Sequence, residues 1–135
     1  MRCTLLWILA LLLFGCQTDR VSTYPVRGRV QYTDGTPVRV GTIELESVTF
    51  GTTASGRIQQ DGSFVLGTYT SSDGAASGKH RVVVVQIIVS DGTVQHTKDH
   101  GRPVPRRYGD YARSSLSVSV EPQPLNDLII ELSGD

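Results

Sequence analysis

Lys79-His80-Arg81-Val82-Val83-Val84-Val85-Gln86-Ile87-Ile88-Val89 is the stretch on which the fold turns. Its apolar run is almost wholly β-branched, and such side chains are stiff at χ1 and pack well on a pleated surface. Successive residues are apolar, so neither alternation nor helical spacing applies. The stretch reads as a strand buried on both faces. Its flanks agree. Upstream, Ser71 to Ser77 is a loop of small residues, and Asp61-Gly62 is a hairpin turn followed by Phe64 and Leu66 on one face. Thr53 to Gln59 is a weaker strand with Gly56 inside it, and Ile43 and Leu45 alternate with Thr42, Glu44 and Glu46. Before the turn Asp34-Gly35-Thr36-Pro37, the residues Val26, Gly28, Val30 and Tyr32 share one strand face. Downstream, Asp91 to Arg107 is irregular. After it, Leu116, Val118 and Val120 alternate with serines, and Leu128, Ile130 and Leu132 alternate with Asp127 and Glu131.

About seven short strands without a convincing helix predict an all-β fold, a seven-stranded antiparallel β-sandwich in one domain over residues 24–135. The expected inward set is Val26, Val30, Ile43, Leu45, Phe64, Leu66, Val83, Val85, Leu116, Val118, Leu128 and Ile130, with Tyr24 and Tyr32 at a strand edge. No period of about 20–50 residues repeats, which argues against an array.

Met1 to Gly15 reads as an export signal. Arg2 is the positive n-region and Leu5 to Phe14 is an unbroken apolar run. Ten helical residues rise about 15 Å, half of a ~30 Å hydrocarbon core, which disfavours a spanning helix. The ending Leu13-Phe14-Gly15-Cys16 resembles the bacterial lipobox, in which Cys receives a thioether-linked diacylglycerol. That resemblance implies a signal over residues 1–15, acylation (diacylglyceryl and palmitate) at Cys16 and a membrane-anchored lipoprotein on the periplasmic side or cell surface. Gln17 after the Cys favours the outer membrane within that scheme. Residues 16–23 read as a polar tether. Cys3 lies inside the removed segment, so Cys16 would be the sole mature cysteine, and lipidation explains an unpaired thiol in an exported chain.

The 13 basic and 13 acidic residues balance; loss of Arg2 with residues 1–15 leaves 12 against 13. Such a balance excludes the electrostatics of a dedicated nucleic-acid binder.

Three segments carry a further resemblance: Tyr24-Pro25-Val26-Arg27-Gly28-Arg29-Val30 with Asp34-Gly35-Thr36-Pro37-Val38, Asp61-Gly62-Ser63-Phe64-Val65-Leu66, and Gly78-Lys79-His80-Arg81-Val82-Val83-Val84. With Tyr108-Gly109-Asp110, they resemble the carboxypeptidase regulatory-like domains of bacterial lipoproteins, over about residues 24–132. The resemblance implies a transthyretin-like (prealbumin-like) sandwich acting as an accessory or structural module, and it carries over no catalytic residue. Ser77 stands where Pro is frequent in that pattern.

Chemistry-bearing residues are sparse. His96 and His100 are spaced for one helical face, yet Gly92, Gly101 and Pro103 argue against a helix there; with His80 they read as solvent-exposed histidines rather than metal ligands. Related sandwich enzymes are disfavoured: the intradiol dioxygenases by the absence of a close His-x-His pair, and the 5-hydroxyisourate hydrolases by an ending other than Tyr-Arg-Gly-Ser. No serine lies in a Gly-x-Ser-x-Gly elbow and no Walker-type loop occurs. Asp34, Asp61 and Asp91 precede Gly and read as turn residues rather than calcium ligands. Sugar binding would rest on Tyr69, Tyr108 and Tyr111, since the only Trp is Trp7.

The expectation is therefore a non-enzymatic envelope module without cofactor or metal. Its partners would be the membrane, through Cys16, and an envelope protein or anionic polymer. The alternative is a binding module for an anionic or saccharide envelope polymer or lipid headgroup. Its site would be the basic loop 96–113, where Arg102, Arg106, Arg107, Tyr108, Tyr111 and Arg113 gather, with Lys98 nearby and Asp99 and Asp110 as partial neutralisers.

Overall fold

A computed structural model describes residues 19–88 and 99–134. Cys16, His96 and Lys98 lie outside the described residues, as does Val89, the last residue of the expected strand. The described chain forms β1 (Thr23–Tyr24), β2 (Val26–Tyr32), β3 (Gly41–Ser47), β4 (Thr53–Ile58), β5 (Ser63–Val65), β6 (Ala75–Ala76), β7 (Gly78–Val85), β8 (Ser117–Val120) and β9 (Asn126–Leu132), with one 3-10 turn at Arg106–Gly109. No helix among the described residues is long and apolar enough to cross a membrane.

The fold is an all-β sandwich. One sheet has the order β5-β2-β9 and the other β4-β3-β7-β8, while β1 and β6 form a two-residue ribbon. The neighbours pair antiparallel with one exception. β2 and β9 run parallel, from Val26↔Asn126 to Tyr32↔Leu132. A parallel pair needs a long crossover. Here everything between Tyr32 and Asn126, including the whole second sheet, serves as that connection.

The core lies between the sheets. Val26, Val30, Tyr32, Phe64, Leu66, Ile130 and Leu132 enter from one side and Ile43, Leu45, Ile58, Val82, Val84 and Val120 from the other. Gly28 is required within β2, because a Cβ there would run into the Leu128 carbonyl oxygen and lie 2.7 Å from the tip of the Phe64 ring. The two Asp-Gly turns place Gly35 and Gly62 at φ +85°, the left-handed region open to glycine.

In β7 the double burial holds for Val82, Val83 and Val84 and stops there. His80, Val82 and Val84 face the core. Val83 lies on the outer face, where Ser114 Oγ donates to the Val82 carbonyl (2.6 Å) and Tyr111 bonds to Glu44, the register partner of Val83. Val85, expected inward, is 37% exposed, and Gln86 to Ile88 leave the strand. The run of four valines hides which parity faces in, and the outer cover ends before Val85. Leu116, Val118 and Leu128 are half-buried against the core. Tyr32 is no edge residue, and His80 is buried rather than solvent-exposed; both are 1% exposed.

The strands define two ends. At the proximal end β2, β7 and β9 begin and β3, β5 and β8 finish, and the β1–β6 ribbon joins the two sheets. The distal end holds the Asp34-Gly35 turn, the Asp61-Gly62 turn, residues 86–88 and 99–105, and the C-terminal Ser133 and Gly134. A seven-residue strand separates them by about 23 Å.

Candidate functional site

The six residues expected to form a basic ridge are divided between two places. Arg102, Arg106, Arg107 and Tyr108 belong to the distal end, whereas Tyr111 and Arg113 lie beside the outer face of the four-stranded sheet. Arg102 lies over the Tyr32 ring, 4.3 Å from its centroid, and pairs with Asp34 at 3.6 Å. The Tyr32 hydroxyl donates to the carbonyls of Arg102 (3.1 Å) and Pro103 (2.9 Å). Burial holds this phenol above the ordinary tyrosine range, with Arg102 opposing. Arg107 stacks on Tyr108 at 4.7 Å and donates to the Ser133 carbonyl (2.8 Å). Tyr108 is 4% exposed, and its hydroxyl accepts the Ser133 N–H (2.9 Å). Arg102, Arg107 and Tyr108 thus fasten the C-terminal residues and the 99–109 segment onto the body.

Tyr111 donates to Glu44 (2.9 Å), and Arg81, which pairs with Glu46 at 2.6 Å, lies 5.1 Å from the Tyr111 ring centroid. Burial, reinforced by the bond to Glu44, pushes the Tyr111 phenol well up. Arg106 and Arg113 are exposed and make no side-chain hydrogen bond or ion pair among the described residues.

The expected neutralisers act elsewhere. Asp99 pairs with Arg39 and accepts the Gly101 N–H (2.8 Å), while Asp110 accepts the Ala112 N–H (2.8 Å) in its own turn. Asp34 takes the role of partner to Arg102, and its carboxyl is held below the usual range first by the Thr36 N–H. Asp61 is held low by the Ser63 hydroxyl and N–H. Both carboxylates close their turns, as read from the sequence.

Arg102 and Arg106 line an open groove of about 570 Å³ with Gln86, Ile88, Pro103, Val104, Pro105 and Gly134. Gln86, which the sequence did not single out, organises it. Its Nε2 donates to the carbonyls of Arg39 (2.8 Å), Val40 (3.2 Å) and His100 (3.1 Å), and its Oε1 accepts the Val104 N–H (3.2 Å). Val40 is held at φ +53°, which β-branched residues avoid. One side chain therefore ties the 39–40 bend to the 99–104 segment. A polar residue inside an apolar run was the available signal.

Two histidines are described. His80 is buried with Nδ1 3.0 Å from the Gly78 carbonyl, and burial lowers its pKa. His100 places Nδ1 2.9 Å from the Gly101 carbonyl. No group of three or more His, Cys, Asp or Glu side chains that could hold a metal occurs among the described residues. With fold and groove defined, the class is a β-sandwich with an arginine-lined distal groove. No family model, curated protein or solved structure matches the chain.

Proposed function

We propose that this chain is a membrane-anchored lipoprotein of the bacterial envelope, acylated at Cys16, whose sandwich is a non-catalytic accessory or interaction module of the carboxypeptidase regulatory-like, transthyretin-like kind. The observation that carries the reading is how soon the folded body follows Cys16. The Val21 N–H already bonds the Tyr69 hydroxyl (3.0 Å), Arg20 stacks 5.1 Å above the same ring, and β1 begins at Thr23. A signal-like apolar run, Cys16 and a folded β domain thus follow one another closely along the chain. Mass spectrometry of the mature N-terminus tests it. Acylated Cys16 and loss of processing in Cys16→Ser are expected; a mature chain retaining residues 1–15 with a free Cys16 thiol defeats the reading.

The distal groove favours a second reading, as a site for an anionic envelope polymer. Arg102 and Arg106 present guanidinium groups beside it, and such forks match carboxylates and phosphates. The groove sits at the opposite end of the sandwich from Val21 and β1, which favours a polymer over the headgroups of the anchoring membrane. Arg107 fastens Ser133, so Arg106→Glu is the cleaner probe. It should abolish salt-sensitive binding to anionic envelope extracts with thermal stability unchanged. Undiminished binding removes this reading.

A further inference from the structure

We propose that the proximal end of the sandwich docks onto the surface of the bilayer that holds Cys16; the inference rests on the lipoprotein reading above. Val48 is 58% exposed, Phe50 49%, Leu125 41% and Tyr69 38%. These side chains come from three connections far apart in sequence: the β3–β4 turn, the β5–β6 loop and the β8–β9 loop. All three connections lie at the proximal end. The Val48 N–H bonds the Lys79 carbonyl (3.0 Å), Gly78 is the register partner of Val120, and Asn126 Oδ1 accepts the Glu121 N–H (2.8 Å). Val85, Ile87 and Ile88 are also exposed, but they are near neighbours on one strand end.

Phe50 is held out by an ordered turn. Its N–H donates to Ser47 Oγ (3.1 Å), and the Gly51 N–H bonds the Ser47 carbonyl (2.9 Å). Nothing in the turn's own geometry uses the ring. Tyr69 is amphipathic, suited to the headgroup level, and Arg20 beside it and Lys79 nearby supply cations that anionic headgroups attract.

The short length of chain between Cys16 and the docked Val21 selects a membrane as the occupant. Val21 is docked at this end, and five residue steps from Cys16 reach at most about 17 Å. An acyl anchor at Cys16 therefore holds these loops, and not the distal groove, against the interface. Apolar side chains on loop tips, rimmed by polar groups and kept that close to lipid, insert at the headgroup boundary.

The test uses the full-length chain produced in a bacterial host and a Phe50→Trp reporter. Removal of residues 1–15 takes away Trp7, so F50W supplies the sole tryptophan of the mature protein. The purified protein is placed in vesicles of phosphatidylethanolamine and phosphatidylglycerol with brominated acyl chains. The expected result is a blue shift and roughly two-fold or greater quenching for F50W, with little quenching for an Ile87→Trp reporter at the distal end. Leu125→Trp repeats the measurement should F50W fail to fold. Equal quenching of the two ends, with Cys16 acylated, overturns the docking and leaves the anchor standing. A blue shift without quenching also overturns it, because a protein surface then covers the loops. Unmodified Cys16 removes the lipoprotein reading, and the docking with it.

Discussion

The two ends of the sandwich are fastened by different means. At the proximal end main-chain pairing dominates. The β1–β6 ribbon joins the sheets, and the buried Asn126 bonds the Pro25 and Glu121 carbonyls and the Glu121 N–H, closing the β8–β9 loop. At the distal end side chains do this work: Gln86 across two bends, Arg102 on Tyr32, and Arg107 with Tyr108 on Ser133. Main-chain ladders and fully buried amides respond weakly to salt. Exposed guanidinium contacts are screened and cost side-chain entropy to order. The difference predicts a firm end around the β1–β6 ribbon and a more adjustable end around the groove.

The largest effect should come from the core that both ends share. Phe64 is 2% exposed and lies over Gly28, so Phe64→Ala should cost about 3–5 kcal/mol in urea unfolding. Hydrogen exchange should then accelerate at both ends together. Loss at one end alone would show that the ends fold independently.

Removal of the two amides separates the ends. Asn126→Ala strands buried main-chain groups and should cost about 2 kcal/mol of global stability. Gln86 is only half-buried, so Gln86→Ala should cost about 1 kcal/mol and raise exchange mainly over residues 99–104. Equal global losses with no local signature would erase the distinction.

A pH titration isolates His80, near the proximal end. Burial is the first cause of its lowered pKa. A group whose pKa is lowered on folding contributes stability that is present above its unfolded pKa of about 6.5 and is lost as the pH falls, because the unfolded chain binds the proton more readily. Thermal stability should fall as the pH drops below about 6.5, and His80→Leu should flatten that part of the profile. The turn carboxylates of Asp34 and Asp61, held low by their hydrogen bonds, lose their contribution at lower pH still.

The smallest effect belongs to Arg102→Ala. A half-exposed cation–π contact and an ion pair at 3.6 Å should together be worth less than about 1 kcal/mol, and the remainder should shrink in high salt. A large, salt-independent loss would mean that the distal end is as firmly built as the proximal one.

Most of the strands were legible, because alternation at Val26 to Tyr32, Ile43 and Leu45, and Leu128 to Leu132 reports a one-sided burden of burial directly. The two short strands were not. Thr23 reads as the end of the tether, Tyr24 as the first residue of the domain, and Ala75–Ala76 as part of a small-residue loop, since two residues show no period. The parity of β7 was also hidden, because four successive valines fit either face. At the candidate site, the arginine-rich segment could be found by composition, but its division between a groove and a sheet face could not.

The sequence alone determined the all-β character, the places of the longer strands and the glycines at the Asp34-Gly35 and Asp61-Gly62 turns. Side-chain period and turn backbone are local properties, set within a few residues. Only the tertiary structure decided that β2 pairs in parallel with β9, that Tyr32 meets Arg102, that Gln86 binds two distant bends, and that Val48, Phe50, Tyr69 and Leu125 share one end. Those relations join residues tens of positions apart. They depend on which sheet edges and core faces meet when the two layers close, and no local pattern carries that information.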